Sequence, residues 1–65
     1  MNSPRVIDLN GPEGNIFAVV GLLIAECKKV GTEPPKVEEI LSIGEYEDII
    51  THIEEAYSDE VLIIR

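Results

Sequence analysis

The segment that most constrains the fold of this chain is residues 16–25, IFAVVGLLIA, because none of its ten residues carries a charge or a hydrogen-bonding side chain. Asn15 precedes it and is a favourable residue for capping a helix N-terminus, while Gly31 lies beyond it and favours a helix end. The sequence therefore predicts one helix of about 16 residues. An ordinary surface helix has a single apolar stripe, whereas this segment is apolar around its whole circumference. We expect neighbouring structure to cover every side of it.

The short chain makes such coverage difficult. Its 65 residues form a single domain, and a domain of this size buries only about 60% of the surface that its unfolded chain exposes. Small domains often gain stability from disulfides, a metal or oligomerisation, and the single cysteine, Cys27, excludes an intrachain disulfide. We therefore expect a homo-oligomer, with a dimer favoured. Its interface is predicted at Ala18, Gly21 and Ala25, small residues that share one helix face.

Length and charge narrow the classes of partner. A membrane-spanning helix needs about 20 predominantly apolar residues, more than this segment offers, so no membrane span is expected. The N-terminus lacks a signal-peptide pattern and the lone cysteine fits a reducing compartment, which together predict a cytoplasmic location. The net charge is −8, and ten of the 13 acidic residues lie from Glu33 onward. Such a surface repels phosphates, so we expect no direct binding to nucleic acid.

The remaining segments predict two more helices and a strand at each end of the chain. The first strand covers residues 5–9 and ends at a strong turn signal; if Ile7 and Leu9 face the core, Asp8 points outward with Val6. Two helices are expected at about residues 36–43 and 45–57, the second with one buried stripe. The last strand, residues 61–65, has four apolar residues in a row, which predicts burial on both faces or pairing with another copy. The order β-α-α-α-β defines a small α+β domain with paired terminal strands.

The loop at residues 10–15 joins the first strand to the apolar helix and contains two glycines. Accessible backbone N–H groups at a helix start attract anions, so Gly11, Gly14 and Asn15, with Arg5 supplying charge, form a candidate phosphate site. Lys28 and Lys29 are further candidate sources of positive charge. The loop matches no known phosphate-binding motif. In the alternative interpretation it is a tight connection in which both glycines take positive φ and Asn15 caps the helix.

Catalytic and metal-binding patterns are weak in this sequence. Asp48, His52 and Glu55 have the spacing of one helix face, but a single histidine among many acids is typical of a solvated surface. Cys27 lies in an apolar helix, where an inert buried thiol is favoured over a reactive one. We therefore predict that the protein is not an enzyme and uses no metal or cofactor.

Two motifs resemble a family of small phage and prophage proteins. The first is V-I-D-L-N-G-P-E-G-N at residues 6–15, followed by the apolar helix, and the second is S-I-G-E-Y-E-D-I-I at residues 42–50, followed by an aliphatic strand. The family pattern has Ser and Gly adjacent in the second motif, whereas here Ile43 separates Ser42 from Gly44. The resemblance implies a phage accessory protein that binds a host protein or a host signalling molecule, and it transfers no catalytic residue.

These observations lead to two main hypotheses about function. In the first, an acidic ridge made of Glu47, Asp48, Glu54 and Glu55 docks on a host enzyme or defence protein and inhibits it. In the second, an oligomer sequesters a nucleotide signal at the glycine-rich loop. A structural or regulatory subunit without an inhibitory role is a third reading. The acidity of the chain favours the first hypothesis.

Overall fold

The computed structural model of the protein describes residues 3–65 and confirms a small α+β domain. None of the helices in this range has the length and apolar character needed to cross a membrane. The elements, in chain order, are strand β1 Arg5–Asp8, a short 3₁₀ turn Pro12–Gly14, helices α1 Ile16–Val30, α2 Val37–Leu41 and α3 Tyr46–Ala56, and strand β2 Val61–Ile64.

The two terminal strands pair with each other within the chain, and they run parallel. Arg5 lies opposite Val61 and Asp8 lies opposite Ile64. The backbone N–H of Leu9 extends the pairing by donating to the carbonyl of Ile64 at 2.8 Å. Parallel strands need a long crossover connection, and all three helices belong to it.

The core lies where one face of this sheet meets one side of each helix. The strands contribute alternate residues, as a period of two requires, and α3 contributes its predicted apolar stripe. The buried apolar residues are Ile7, Val19, Val20, Leu23, Cys27, Ile40, Ile49, Ile50, Ile53, Val61 and Ile63.

Within the single chain α1 is covered on one side only, and the expectation that a second copy covers its other sides stays a prediction. Val19, Leu23 and Cys27 are fully buried, whereas on the opposite side Gly21 and Ala25 are exposed and Phe17 is 71% exposed. The short elements left in a 65-residue chain reach only one side of α1. The total accessible surface of 4255 Å² is nevertheless close to the ~4,100 Å² expected of a folded monomer of this mass. Small residues keep the uncovered area modest.

Burial of β2 on both faces, the first of its two predicted alternatives, is wrong for the single chain, and its pairing with another copy stays a prediction. Val61 and Ile63 are buried, but Leu62 and Ile64 are 52% and 45% exposed. No element of the described chain packs over that outer face, so the continuous apolar run does not produce continuous burial. For β1, the prediction that Ile7 points inward and Asp8 outward is confirmed.

The ends of α1 form as their sequence predicts. The Asn15 side chain accepts a hydrogen bond from the Ala18 N–H at 2.9 Å, which satisfies one of the free donors of the first turn. At the other end, Gly31 has φ 84°, and the N–H of Thr32 donates to the Cys27 carbonyl at 2.8 Å. The left-handed conformation favours glycine at this position.

The prediction that Gly11 and Gly14 take positive φ is wrong. In the described chain positive φ occurs at Gly31 and Gly44, and the connection is made by the 3₁₀ turn Pro12–Gly14 instead. Gly14 is needed for a different reason, because a Cβ atom there would lie 2.1 Å from the carbonyl oxygen of Leu9. The Tyr46 hydroxyl also donates to the Gly14 carbonyl and ties this turn to α3.

This close approach makes Gly14 a sensitive position for stability. We expect Gly14→Ala to lower the free energy of unfolding by on the order of 2 kcal/mol, because backbone atoms must move to admit the methyl group. The matched control is Gly11→Ala in the same loop, where a Cβ atom would lie 3.6 Å from the nearest backbone oxygen and φ is −98°. Urea unfolding of both variants checks the prediction, and equal stabilities would contradict it.

Candidate protein-docking surface

The outer sheet face consists of Val6 and Asp8 from β1 and Leu62 and Ile64 from β2. Val6 lies opposite Leu62 and Asp8 lies opposite Ile64 in the strand register. Val6, Leu62 and Ile64 are 48%, 52% and 45% exposed. The Asp8 carboxylate is held at one end of this face, where it accepts a hydrogen bond from the Asn10 N–H at 2.9 Å. Three aliphatic side chains therefore form a solvent-facing patch beside one acidic group.

Such exposure is unusual for this kind of sheet. Parallel strands in known folds are almost always covered on both faces, and a two-stranded ribbon is only marginally stable by itself. Here only the inner face is covered by the described chain. Contiguous exposed apolar side chains with a polar rim are typical of protein interaction sites. The outer sheet face is therefore the strongest candidate for a functional surface.

An acidic stripe on α3 lies beside the end of this face. The guanidinium group of Arg65, the residue after β2, donates to Glu47 at 2.9 Å, to Thr51 at 3.2 Å and to Glu54. These three partners follow one another at about one turn on the same side of α3. The two carboxylates raise the pKa of Arg65, so this group stays charged. Arg65 thus joins β2 to the acidic stripe of Glu47, Thr51 and Glu54.

The predicted acidic ridge is consequently divided. Glu47 and Glu54 share Arg65, whereas Asp48 accepts a hydrogen bond from the Glu45 N–H at 3.1 Å and closes the capping box of α3. Glu55 is exposed. The sequence analysis missed the role of Arg65. A signal was present, because residues 33–65 contain ten acidic residues and only two basic residues that could pair with them.

The structure does not bring the candidate phosphate ligands together. Asn15 and Gly14 are engaged in the contacts described above, and Gly11 donates its N–H to the Asp8 carbonyl at 3.1 Å. Arg5 starts β1 while the loop follows its end, a separation of about 10 Å along the strand. Lys28 and Lys29 lie about 20 Å from the loop, at the far end of α1. No pocket is found in the described part of the chain.

The remaining candidate residues occupy separate environments. Burial raises the pKa of the Cys27 thiol, and the charges of Glu60 and Glu26 raise it further, which disfavours the reactive thiolate. His52 is exposed and contacts Tyr57 edge to face, with ring centroids 6.3 Å apart. Within residues 3–65, no group of three or more His, Cys, Asp or Glu side chains is arranged to hold a metal ion.

The predicted oligomer interface lies on the uncovered side of α1. Gly21 and Ala25 are exposed and Ala18 is half-buried at the edge of this side. A Cβ atom on Gly21 would have nothing within 4 Å.

Comparison of the chain with protein-family models, with curated proteins and with solved structures returns no match. The resemblance to phage and prophage proteins therefore stays a prediction based on the two sequence motifs.

The Arg65 contacts generate a prediction about salt dependence. We expect Arg65→Gln to lower the melting temperature slightly, because the ion pairs of Arg65 with Glu47 and Glu54 are lost, and we expect the difference to shrink at 1 M NaCl, where screening acts within about 3 Å. Lys36→Gln removes the same charge from the exposed N-terminus of α2 and serves as the control. Thermal unfolding at low and high salt measures both. If the melting temperature of the Arg65 variant is lowered equally at low and high salt, an electrostatic role is contradicted.

The raised pKa of Cys27 generates a prediction about pH. A thiol whose pKa is higher in the folded state than in the unfolded state favours folding while it is protonated. That contribution is complete below about pH 8.5, the ordinary pKa of a thiol, and is lost as pH rises through the folded value. The pKa of Tyr57 is also raised by burial, but this contribution is lost only above about pH 10, the ordinary pKa of a tyrosine. We expect stability to fall above about pH 8.5 and to fall less steeply in Cys27→Ala, as measured by urea unfolding between pH 7 and 10. If the free energy of unfolding falls equally steeply with pH in the wild type and in Cys27→Ala, the attribution to the Cys27 thiol is contradicted.

Proposed function

We propose that this protein acts by binding another protein through the outer sheet face and the adjacent acidic stripe of α3, without catalysis of its own. The observation that carries the proposal is the exposed aliphatic patch of Val6, Leu62 and Ile64 on a parallel sheet. Covering such a patch removes apolar area from water, which is the main favourable term in protein association.

The surroundings of the patch specify the chemistry of the partner. Asp8 lies on the face itself, and Glu47 and Glu54, both paired with Arg65, lie beside its β2 end. A complementary partner has an apolar centre and a basic rim. Because residues 33–65 carry the entire net charge of −8, we expect electrostatic attraction to speed association and salt to slow it.

The biological setting of this proposal follows from the family resemblance. A phage accessory protein of this kind would act in the cytoplasm of its host, where the partner is a host enzyme or defence protein that is inhibited by the contact. A structural or regulatory subunit would use the same surface. The nucleotide hypothesis is less well supported, because Arg5, Lys28 and Lys29 lie apart from the glycine-rich loop.

Single lysine substitutions test the surface. Leu62→Lys places a charge at the centre of the outer sheet face, on a side chain that is 52% exposed, so we expect the fold to tolerate it. The control is Ile43→Lys, the same type of change at a 39% exposed residue between α2 and α3. Thermal unfolding first establishes that both variants fold.

The binding measurement uses a partner captured from host cells by the wild-type protein, identified by mass spectrometry and purified. Isothermal titration calorimetry with this partner should give a dissociation constant at least tenfold higher for Leu62→Lys and nearly unchanged for Ile43→Lys, since loss of a central apolar contact costs more than about 1.4 kcal/mol. We also expect the affinity to fall with added salt. Wild-type affinity in Leu62→Lys would rule out the outer sheet face as the docking site.

A further inference from the structure

The side of α1 that faces away from the core is a second uncovered surface. Phe17, Gly21 and Ala25 follow one another at intervals of four residues, so they lie in one row along the helix. All three are exposed, and Phe17, at 71%, is the most exposed large apolar side chain in the described part of the chain. The row carries no charge until Lys28. The row thus has glycine at its centre, the large Phe17 at one end and the small Ala25 at the other.

We propose that a second copy of this chain packs antiparallel on this row, with the twofold axis at Gly21. In that arrangement residues whose numbers add up to 42 lie opposite each other. Gly21 meets the partner's Gly21, where the absence of side chains allows the two helices to approach closely. Each Phe17 ring lies over the partner's Ala25, so the large residue of one copy fills the space beside the small residue of the other.

The distribution of charge favours this side of the molecule for self-association. Residues 1–32 contain three acidic and three basic residues, whereas residues 33–65 contain ten acidic and two basic residues. Contact through α1 therefore joins the two electrically neutral halves and keeps the two halves of charge −8 apart. Contact through α3 would bring like charges together. Antiparallel α1 helices also place the positive end of each helix dipole beside the negative end of the other.

The size of the row sets the strength of the association. A 15-residue helix is about 22 Å long and 10 Å wide, which gives a footprint on the order of 220 Å². Standard interfaces bury about 800 Å² of accessible surface per partner, and smaller ones are weak. The dimer is therefore expected to be weak, and it should dissociate on dilution.

Sedimentation equilibrium of the purified chain from about 10 μM to 1 mM tests this proposal. Gly21→Lys places two like charges at the twofold axis and should weaken the dimer more than tenfold, and Phe17→Ala should weaken it as well. Because a Cβ atom at the exposed position 21 has nothing within 4 Å outside its own stretch of helix backbone and glycine disfavours a helix, Gly21→Lys should melt no lower than the wild type. Thr32→Lys, the same gain of charge in the exposed loop after α1, should leave the dimer intact.

A wild-type protein that is monomeric at 1 mM would overturn the proposal. A dimer that survives both Gly21→Lys and Phe17→Ala would also overturn it, because the contact would then lie elsewhere. Leu62→Lys separates this interface from the outer sheet face: it should leave the dimer unchanged, and loss of the dimer in that variant alone would place self-association on the sheet.

Discussion

The parallel pairing of β1 with β2 is the contact on which the rest of the structure depends. It joins segments more than 50 residues apart, and it brings Ile7 and Ile63 into the core that buries Val19 and Leu23 of α1. Forming such a non-local pair costs loop-closure entropy before any apolar burial compensates for it. The ordered helix ends at Asn15, Gly31 and the Glu45–Asp48 capping box reduce the number of conformations that the crossover must explore.

Local chemistry in the sequence was sufficient to predict the elements. The α1 helix begins after Asn15 and ends before Gly31 because both residues satisfy backbone groups close to them in the chain. The same holds for the period of two in β1, which correctly placed Ile7 inward. Features that depend on tertiary contacts were not predictable in this way. Strand orientation, the 3₁₀ turn at Pro12–Gly14 and the reach of Arg65 to Glu47 depend on partners far away in the sequence, and periodicity carries no information about them.

The one-sided burial of α1 and of β2 has the same physical cause. A run without charges shows that a segment tolerates burial, but the chain must also supply enough structure to cover it. For α1 and β2 it covers one side only, which leaves Phe17 on one surface and Leu62 on another. The candidate site was likewise predicted in part: the acids of α3 were identified, while their division by Arg65 depends on a contact 11 to 18 residues away in the chain. The capping role of Asp48 is local to Glu45 and was missed.

The same strand pairing has a consequence for how the chain folds as it is synthesised. β1 is made early, but its partner follows more than 50 residues later, which at about 5–20 residues per second is a delay of roughly 3–10 s. During this interval α1 has no completed sheet to pack against, and its apolar side chains, together with Ile7, remain accessible to water and to chaperones. The nascent chain therefore exposes the apolar side chains of α1 before β2, the strand that completes its core, has been made.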